Sequence, residues 1–199
     1  MTHPVKEKRE RALNTKLFLK AERSYSPKSA IVRRPKRPGQ HGDKRQSITE
    51  YGRQLQEKQK IQISFGLNNR QTRTLFHKPK EKIIETLFQR LDSVTFMLGF
   101  AKSQRIARQM VSHGHILVNG RKVTIPSCHV TIGNKISIRP ESRASKLFEG
   151  IGERLQKYTP PTWLRLSPEE LTGECIAKSS GGDTEFPFDM ALVSEFYSR

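Results

Sequence analysis

The sequence predicts an α+β protein, because helix signals dominate the chain up to His113 and strand signals follow it. The helix signals are capped starts and apolar residues repeated every three or four positions. The strand signals are short apolar runs around two turn pairs, Asn119-Gly120 and Gly133-Asn134. Asn-Gly is typical of a tight hairpin, because both turn residues need a positive φ.

The amino-terminal part is predicted to be a basic arm followed by a capped helix. Residues 1–46 are basic and rich in proline, so we expect a short helix near 13–22 and an extended arm elsewhere. Ser47 with Glu50 three residues later is a capping-box pattern, and it predicts a helix that Gly66 ends.

Apolar spacing predicts the buried faces of the following helices. Ile48, Tyr51 and Leu55 share one side of the first capped helix. Asn68 or Asn69 can cap a second helix, and Pro79 forces a restart. The third helix carries a core-facing stripe, Ile83, Ile84, Leu87, Phe88 and Leu91.

Lys102 to His113 is predicted to be a helix with two opposed faces. At 100° per residue, four apolar residues share one arc, namely Ile106, Ala107, Met110 and Val111. The opposite arc is polar and contains Lys102, Arg105, Arg108, Gln109 and Ser112. Because this polar arc has no acidic residue, its charges repel one another unless a partner neutralises them.

The remaining elements are predicted from alternation and from turn residues. One strand pair surrounds Asn119-Gly120, and a second is marked by Val130, Ile132, Ile136 and Ile138. The later elements are an exposed helix from Ala144 to Tyr158, a strand near Trp163 to Leu166, a short helix from Ser167, a Ser/Gly loop over 178–185 and a docking helix near Met190 to Phe196.

Composition excludes several classes of protein. The chain has 199 residues, is 34% hydrophobic and carries a net charge of +18. Its longest apolar run, about Val94 to Ala101, is far short of the ~20 residues that span a bilayer. Two distant cysteines form neither a disulfide framework nor a zinc site. We therefore expect no metal and no cofactor, and a polyanionic partner.

The charge is uneven along the chain. Residues 1–60 and 61–160 each hold 17 basic and 6 acidic side chains, whereas 161–199 hold 3 basic and 7 acidic ones. Positive charge on the 102–113 helix and on Arg121 and Lys122 beside the turn suits a phosphate backbone. Composition leaves recognition of folded RNA and non-specific DNA binding both open.

Several motifs then resemble a known family. Arg90-Leu91-Asp92-Ser93-Val94, Leu98-Gly99-Phe100-Ala101 and the stretch from Ala107 to Gly120 resemble the RNA-binding module named after small-subunit ribosomal protein S4. The segments 37–42, 51–60, 161–164 and 195–199 are similar to the bacterial-type S4 family itself. The resemblance is collinear from about residue 37 to the end. Residues 1–46 contain no cysteine, so the four-cysteine cluster of some members is not carried over. The opening arm of the family is poorly matched in residues 1–36.

The resemblance implies a domain organisation and a function. It implies a basic arm over 1–46, a helical domain from 47–88 with 160–199, and an inserted module over 89–152. It further implies a primary binder of small-subunit, 16S-type rRNA that nucleates assembly. Expected partners are small-subunit ribosomal proteins three and five and mRNA near the channel through which it enters, with an effect on decoding accuracy and no membrane partner. The expected location is the cytoplasmic ribosome of a bacterium, with an organellar ribosome left open.

The module also occurs in proteins of other function, so alternatives remain. A tripeptide similar to Arg90-Leu91-Asp92 carries the catalytic aspartate of pseudouridine synthases. Because no catalytic domain is found, we favour a structural Asp92 and expect no enzyme. A ribosome-associated quality-control factor is the other alternative. His113 and His115 lack a nearby third ligand, so they are predicted to line an RNA surface or cap the helix rather than bind metal.

These arguments yield one set of predicted RNA-binding residues. It comprises Arg33, Arg34, Lys36, Arg37, Gln40, His41, Lys44, Arg45, Arg53, Lys58, Lys60, Arg70, Arg73, Arg90, Lys102, Arg105, Arg108, His113, His115, Asn119, Arg121 and Lys122.

Overall fold

The computed structural model of the chain describes residues 6–17, 19, 26–43, 47–179 and 188–198. In these residues the helices are α1 (Lys6–Leu13), α2 (Ala30–Arg33), α3 (Glu50–Phe65), α4 (Asn69–Phe76), α5 (Lys80–Phe88), α6 (Leu91–Met97), α7 (Gln104–Ser112), α8 (Ile151–Gln156) and α9 (Met190–Ser198). The strands are β1 (Ile116–Val118), β2 (Arg121–Lys122), β3 (Lys135–Ile138), β4 (Leu164–Ser167) and β5 (Thr172–Cys175). The predicted α+β class is confirmed.

The chain divides into two compact units. The first comprises Met1–Lys80 with Phe186–Arg199, and the second comprises Glu81–Glu185. The sequence reading instead assigned 160–199 as a whole to the helical domain. The sheet explains the difference, because β5 pairs with β3 and so ties the 164–175 hairpin to the second unit.

The first unit is helical. Helix α9 packs against α3 and α4, with Val193 buried, as predicted for a docking helix. Helix α3 ends at Gly66, which has φ 62°, also as predicted. The cap of α3 differs from the prediction: Thr49 accepts from the backbone N–H of Gly52, so the helix begins at Glu50 rather than at Ser47.

The buried face of α3 also differs from the predicted one. Tyr51 is 53% exposed, whereas Gln54, Ile61 and Phe65 are buried. The Tyr51 ring lies against that of Phe196, with the two ring planes tilted by 34° and their centroids 5.5 Å apart.

The helix expected near 13–22 does not form in the described part of that range, because α1 ends at Leu13 and residues 14–17 and 19 are not helical. Residues 18 and 20–22 lie outside the described residues. The Glu10 carboxylate accepts from the backbone N–H groups of Leu17 and Leu19, both at 3.1 Å. These bonds hold the chain after α1 in a non-helical path, and they fold Leu13, Leu17 and Leu19 into one small cluster. Within the described part of residues 1–46, α1 and α2 are helical where the sequence predicts an extended arm.

The second unit is built on an antiparallel sheet of order β2-β1-β3-β5-β4. Ile116 of β1 pairs with Ile138 of β3, and both are buried. Helices α6 and α7 pack against each other. Asn119 (φ 50°) and Gly120 (φ 77°) form the predicted turn between β1 and β2.

Three predicted elements of the second unit are wrong. No strand forms at 130–132; β3 pairs with β1 and β5 instead, and Ile132 is 53% exposed. The helix expected from Ala144 to Tyr158 is split into a short 3-10 turn and α8, because Gly150 has φ 66°. Residues 168–171 form the turn of the β4–β5 hairpin rather than a helix, since strand pairing closes immediately on either side.

Candidate RNA-binding surface

Helix α7 presents its charges opposite its buried face. Ser103 caps the helix by accepting from the backbone N–H of Ile106 at 3.4 Å. The predicted apolar arc is largely confirmed, because Ala107, Met110 and Val111 are buried and Ile106 is half-buried. The helix begins at Gln104 rather than at the predicted Lys102, because Ser103 caps it, so Lys102 is exposed but lies outside the helix. Arg105 and Arg108 of the predicted polar arc are half-buried.

The β1–β2 hairpin places two cations on an exposed strand. Arg121 and Lys122 are both exposed on β2. The turn is held from the side by Asn119, whose Oδ1 accepts from the backbone N–H of Lys135 at 2.8 Å. The Lys122 side chain runs over Gly114, where an added Cβ would lie 2.2 Å from the lysine Cε. Gly114 therefore lets Lys122 approach the 113–115 segment.

The two histidines lie beside this lysine. Their ring centroids are 6.0 Å apart, and His115 Nδ1 lies 2.9 Å from Ser142 Oγ. Burial lowers the pKa of His115 below its usual value, and the nearby positive charges of His113, Arg139 and Lys122 lower it further. Within the described residues, no group of three or more His, Cys, Asp or Glu side chains could hold a metal ion.

Arg139 is a member of this basic group that the sequence reasoning missed. Its backbone N–H donates to the His115 carbonyl at 2.9 Å, and its side chain pairs with Glu141. The sequence feature that could have indicated Arg139 is its place directly after the apolar Ile138, which is buried. Only the pairing of β3 with β1 brings that position beside His115.

Arg90, one of the predicted RNA-binding residues, is buried instead of exposed. It is 9% exposed, and its guanidinium donates twice to the Asp92 carboxylate, at 2.9 and 2.7 Å. Arg108 Nη1 lies 4.0 Å from the same carboxylate. Asp92 is fully buried, so this aspartate neutralises arginines inside the unit and does not line an accessible site.

The arm residues lie on the surface of the first unit. Six are exposed, namely Arg33, Arg34, Lys36, Arg37, Gln40 and His41. Lys36 also pairs with Asp43 at 2.9 Å. The predicted Lys44 and Arg45 lie outside the described residues. The Arg11 guanidinium donates to the carbonyls of Arg34 and Lys36, and so fixes the arm to α1.

Helices α3 and α4 present some of their predicted cations and hold others internally. Arg53, Arg70 and Arg73 are exposed. Lys58 Nζ instead lies 4.6 Å from the centroid of the Phe196 ring. Lys60 donates to Glu57 Oε1 at 2.6 Å, with both side chains 14% exposed. Lys58 and Lys60 therefore also serve the packing of the first unit.

The two cysteines and the helices add no further chemistry in the part of the chain that the structure describes. Cys128 and Cys175 are free thiols. Burial raises the pKa of the Cys175 thiol, which donates to the Ala177 carbonyl. None of the described helices combines the length and the apolar character needed to cross a bilayer.

Two known protein families match parts of the chain, and several relatives match most of it. A family described as the S4 domain matches residues 89–136, and one described as the ribosomal protein S4/S9 N-terminal domain matches residues 2–95. The small ribosomal subunit protein uS4 of Halothermothrix orenii is 44% identical over 191 residues, which cover 92% of each chain. That of Heliobacterium modesticaldum is 41% identical over the same share, and that of Roseiflexus castenholzii is 44% identical over 180 residues.

Proposed function

The chain belongs to the uS4 family of small ribosomal subunit proteins, and from that premise we propose that it binds small-subunit rRNA through α7 and the β1–β2 hairpin. As a member it is a structural protein of the small subunit and not an enzyme. The proposal concerns which residues contact the RNA: Lys102, Arg105, Arg121 and Lys122, together with the exposed basic residues of the first unit.

One observation carries this proposal, the two-sided character of α7. Met110 is 1% exposed and Val111 is fully buried, so the helix cannot rotate without exposing its core face. Arg105 is therefore held on the outward side of a helix that has no acidic residue, and the exposed Lys102 lies just before the capping residue Ser103. Cations held on a rigid helix suit the regular phosphate spacing of folded RNA, which proteins recognise mainly by shape and backbone.

The test reverses charge on the outward face. Lys102→Glu with Arg105→Glu is expected to weaken binding of an rRNA fragment by at least about tenfold, because each reversal replaces attraction to phosphate with repulsion. The free energy of unfolding should change by no more than about 0.5 kcal/mol, as is usual for surface substitutions, so the melting temperature should stay nearly the same. Arg108 is left unchanged, since a carboxylate there would lie beside the buried Asp92.

The control variant is Met110→Ala on the opposite face of the same helix. It should cost about 2–5 kcal/mol of unfolding free energy and affect RNA binding only through that loss. Binding titrations and circular dichroism melts are run side by side on both variants. Equal melting losses in the two variants would contradict the assigned orientation of α7.

We further propose that the protein binds rRNA early, nucleates subunit assembly and lies beside ribosomal proteins three and five near the channel through which mRNA enters. Its net charge of +18 supports early binding, because electrostatic steering speeds encounter with RNA. Reconstituting the subunit with and without this chain tests the assembly role. Unchanged binding of the later proteins in its absence would contradict nucleation, and cross-linking tests the two neighbours.

The alternative, a transient quality-control factor carrying the same module, is separated by a salt wash. A constitutive subunit protein should stay with the purified small subunit through the wash. Release of this chain while other ribosomal proteins remain would favour the transient factor.

A further inference from the structure

A cavity of about 560 Å³ lies in the first unit, between α1, α3 and the start of α4. This volume falls in the range of about 300–1,000 Å³ that is usual for small-ligand pockets. Its lining combines three chemistries. Apolar side chains such as Leu13 and Ile63 are joined by amides such as Gln56 and Gln59 and by the guanidinium groups of Arg9 and Arg37.

The floor of the cavity is preorganised. Leu13 is 7% exposed and belongs to the cluster with Leu17 and Leu19, against which Ile63 packs. The cluster is fixed by Glu10, which accepts from the backbone N–H groups of Leu17 and Leu19. A fixed apolar surface of this kind suits the face of a flat ring.

The amides of Gln56 and Gln59 supply the polar edge. They lie three residues apart on α3 and so share a helix face. Among the described residues, neither side chain makes a hydrogen bond, whereas neighbouring Gln62 already donates to Asn69 Oδ1 at 2.7 Å. Each amide offers one acceptor and two donors, which is the pattern that the edge of a nucleobase complements.

Two arginines supply the positive side. Arg9 and Arg37 are exposed and come from opposite sides of the contact between α1 and the arm. Arg11 holds that contact by donating to the carbonyls of Arg34 and Lys36, just before Arg37. The turn that follows is tight, because a Cβ at Gly42 would lie 2.0 Å from the Arg37 carbonyl oxygen. This turn constrains the Arg37 backbone, and the Arg37 residue lines the cavity, where a phosphate of the same nucleotide would meet it.

We propose that this cavity takes one extruded nucleotide of the rRNA, with its base on the floor, its edge on Gln56 and Gln59, and its phosphate on Arg9 and Arg37. This proposal rests on rRNA binding and adds a base-reading site to the backbone contacts of α7. Unpaired bases splayed out of RNA are the elements that proteins read in this way. The same chemistry would fit a free mononucleotide, and the experiment separates the two sources.

The test uses the full chain with an rRNA fragment. Gln56→Leu with Gln59→Leu keeps the side-chain size and removes the hydrogen-bonding edge. We expect binding to weaken by about five- to 150-fold, the range that one good bidentate base contact supplies. Chemical probing of Watson–Crick edges should show one unpaired nucleotide that the unmodified protein protects and the variant exposes. The rest of the footprint should be unchanged.

Matched controls exclude indirect effects. Gln156→Leu alters an exposed glutamine of α8 and should leave the protection intact. Arg9→Gln should weaken binding more than Lys8→Gln, which removes an exposed charge from the same helix but does not line the cavity. If the double variant melts early, Gln59→Glu at an exposed position replaces it, because a carboxylate cannot donate to the base.

Each outcome decides the proposal. Loss of one protected base in the glutamine variant, with the footprint otherwise retained, supports it. An unchanged footprint and affinity overturns it while rRNA binding stands. A third outcome is that the unmodified protein binds free AMP or GMP, that the glutamine variant does not, and that both bind the rRNA fragment equally well. This outcome overturns an rRNA nucleotide as the ligand of the cavity. Failure of the unmodified protein to bind the rRNA fragment overturns the proposed function itself.

Discussion

A buried ion-pair group shows that a basic residue of this chain can act in packing instead of facing the solvent. The group consists of Arg90, Asp92 and Arg108. Asp92 is fully buried, and Arg90 meets it through two short hydrogen bonds. The backbone N–H of Ser93 donates to the same carboxylate at 3.0 Å. Removing a partner of such a buried charge lowers stability strongly, because only the partners compensate for the desolvation of the charge. Arg90 therefore positions the start of α6, and Arg108 lies between this pair and the surface.

Removing Arg90 should accordingly destabilise the second unit. Arg90→Ala is expected to lower the free energy of unfolding by about 3–5 kcal/mol, the usual cost of breaking a buried ion pair. Arg121→Ala, at an exposed position of β2, should change it by no more than about 0.5 kcal/mol. Denaturant titrations of both variants provide the measurement. Similar midpoints would mean that the Asp92 carboxylate is not desolvated.

The β4–β5 hairpin is the element that most changes the domain organisation inferred from sequence. Gly173 of β5 pairs with both Ile136 and Leu166, so it sits in the interior of the sheet. A Cβ at Gly173 would lie 2.5 Å from both methyl carbons of Leu98, which is fully buried. The hairpin can therefore close over the helical side of the second unit only because this strand position lacks a side chain.

Gly173→Ala should therefore destabilise the second unit. Overpacking against an immobile core side chain costs about 1–3 kcal/mol, so a lower melting temperature is expected. Gly152→Ala in α8 is the matched control, because no atom lies within 4 Å of its added Cβ. That control should be neutral or stabilise by up to about 1 kcal/mol, since alanine restricts the unfolded chain. A neutral Gly173→Ala would show that Leu98 can move.

At the scale of the whole molecule, we expect the net charge of +18 to govern RNA binding. Internal acidic partners neutralise only some of the basic residues, as Glu57 does for Lys60 and Asp92 does for Arg90. Exposed cations occur in both units, on the arm and α4 of the first and on β2 of the second. RNA binding should then be driven largely by release of counterions from the phosphates.

The expected consequence is a steep dependence on salt. If about 6–10 phosphates are neutralised, affinity for an rRNA fragment should fall about 10³- to 10⁵-fold between 50 and 200 mM salt, by the relation written for duplex DNA. Lys102→Gln is expected to reduce the slope by about one. Titrations at several salt concentrations measure both effects. A flat salt response would contradict a backbone-dominated mode.

Local signals in the sequence were sufficient for several elements and for part of the site. Asn68 caps α4 with a full capping box, because its side chain accepts from the backbone N–H of Gln71. Asn119-Gly120 turns the hairpin, because both residues adopt the positive φ that this turn needs. The two faces of α7 were likewise predictable, since helix geometry alone separates them. Ser47 was misread as a cap because Thr49, two residues later, competes for the same role.

The sequence by itself therefore determined the α+β class, the net charge of +18 and the buried and polar faces of α7. Only the tertiary structure decided that β5 pairs with β3, that the Arg90 guanidinium donates to the Asp92 carboxylate and that the Lys58 ammonium lies over the Phe196 ring. It alone also brings Arg9, Arg37, Gln56 and Gln59 around one cavity. The physical reason is the same in each case. Caps, turns and helix faces depend on residues within a few positions, whereas these contacts join distant segments that no local pattern relates.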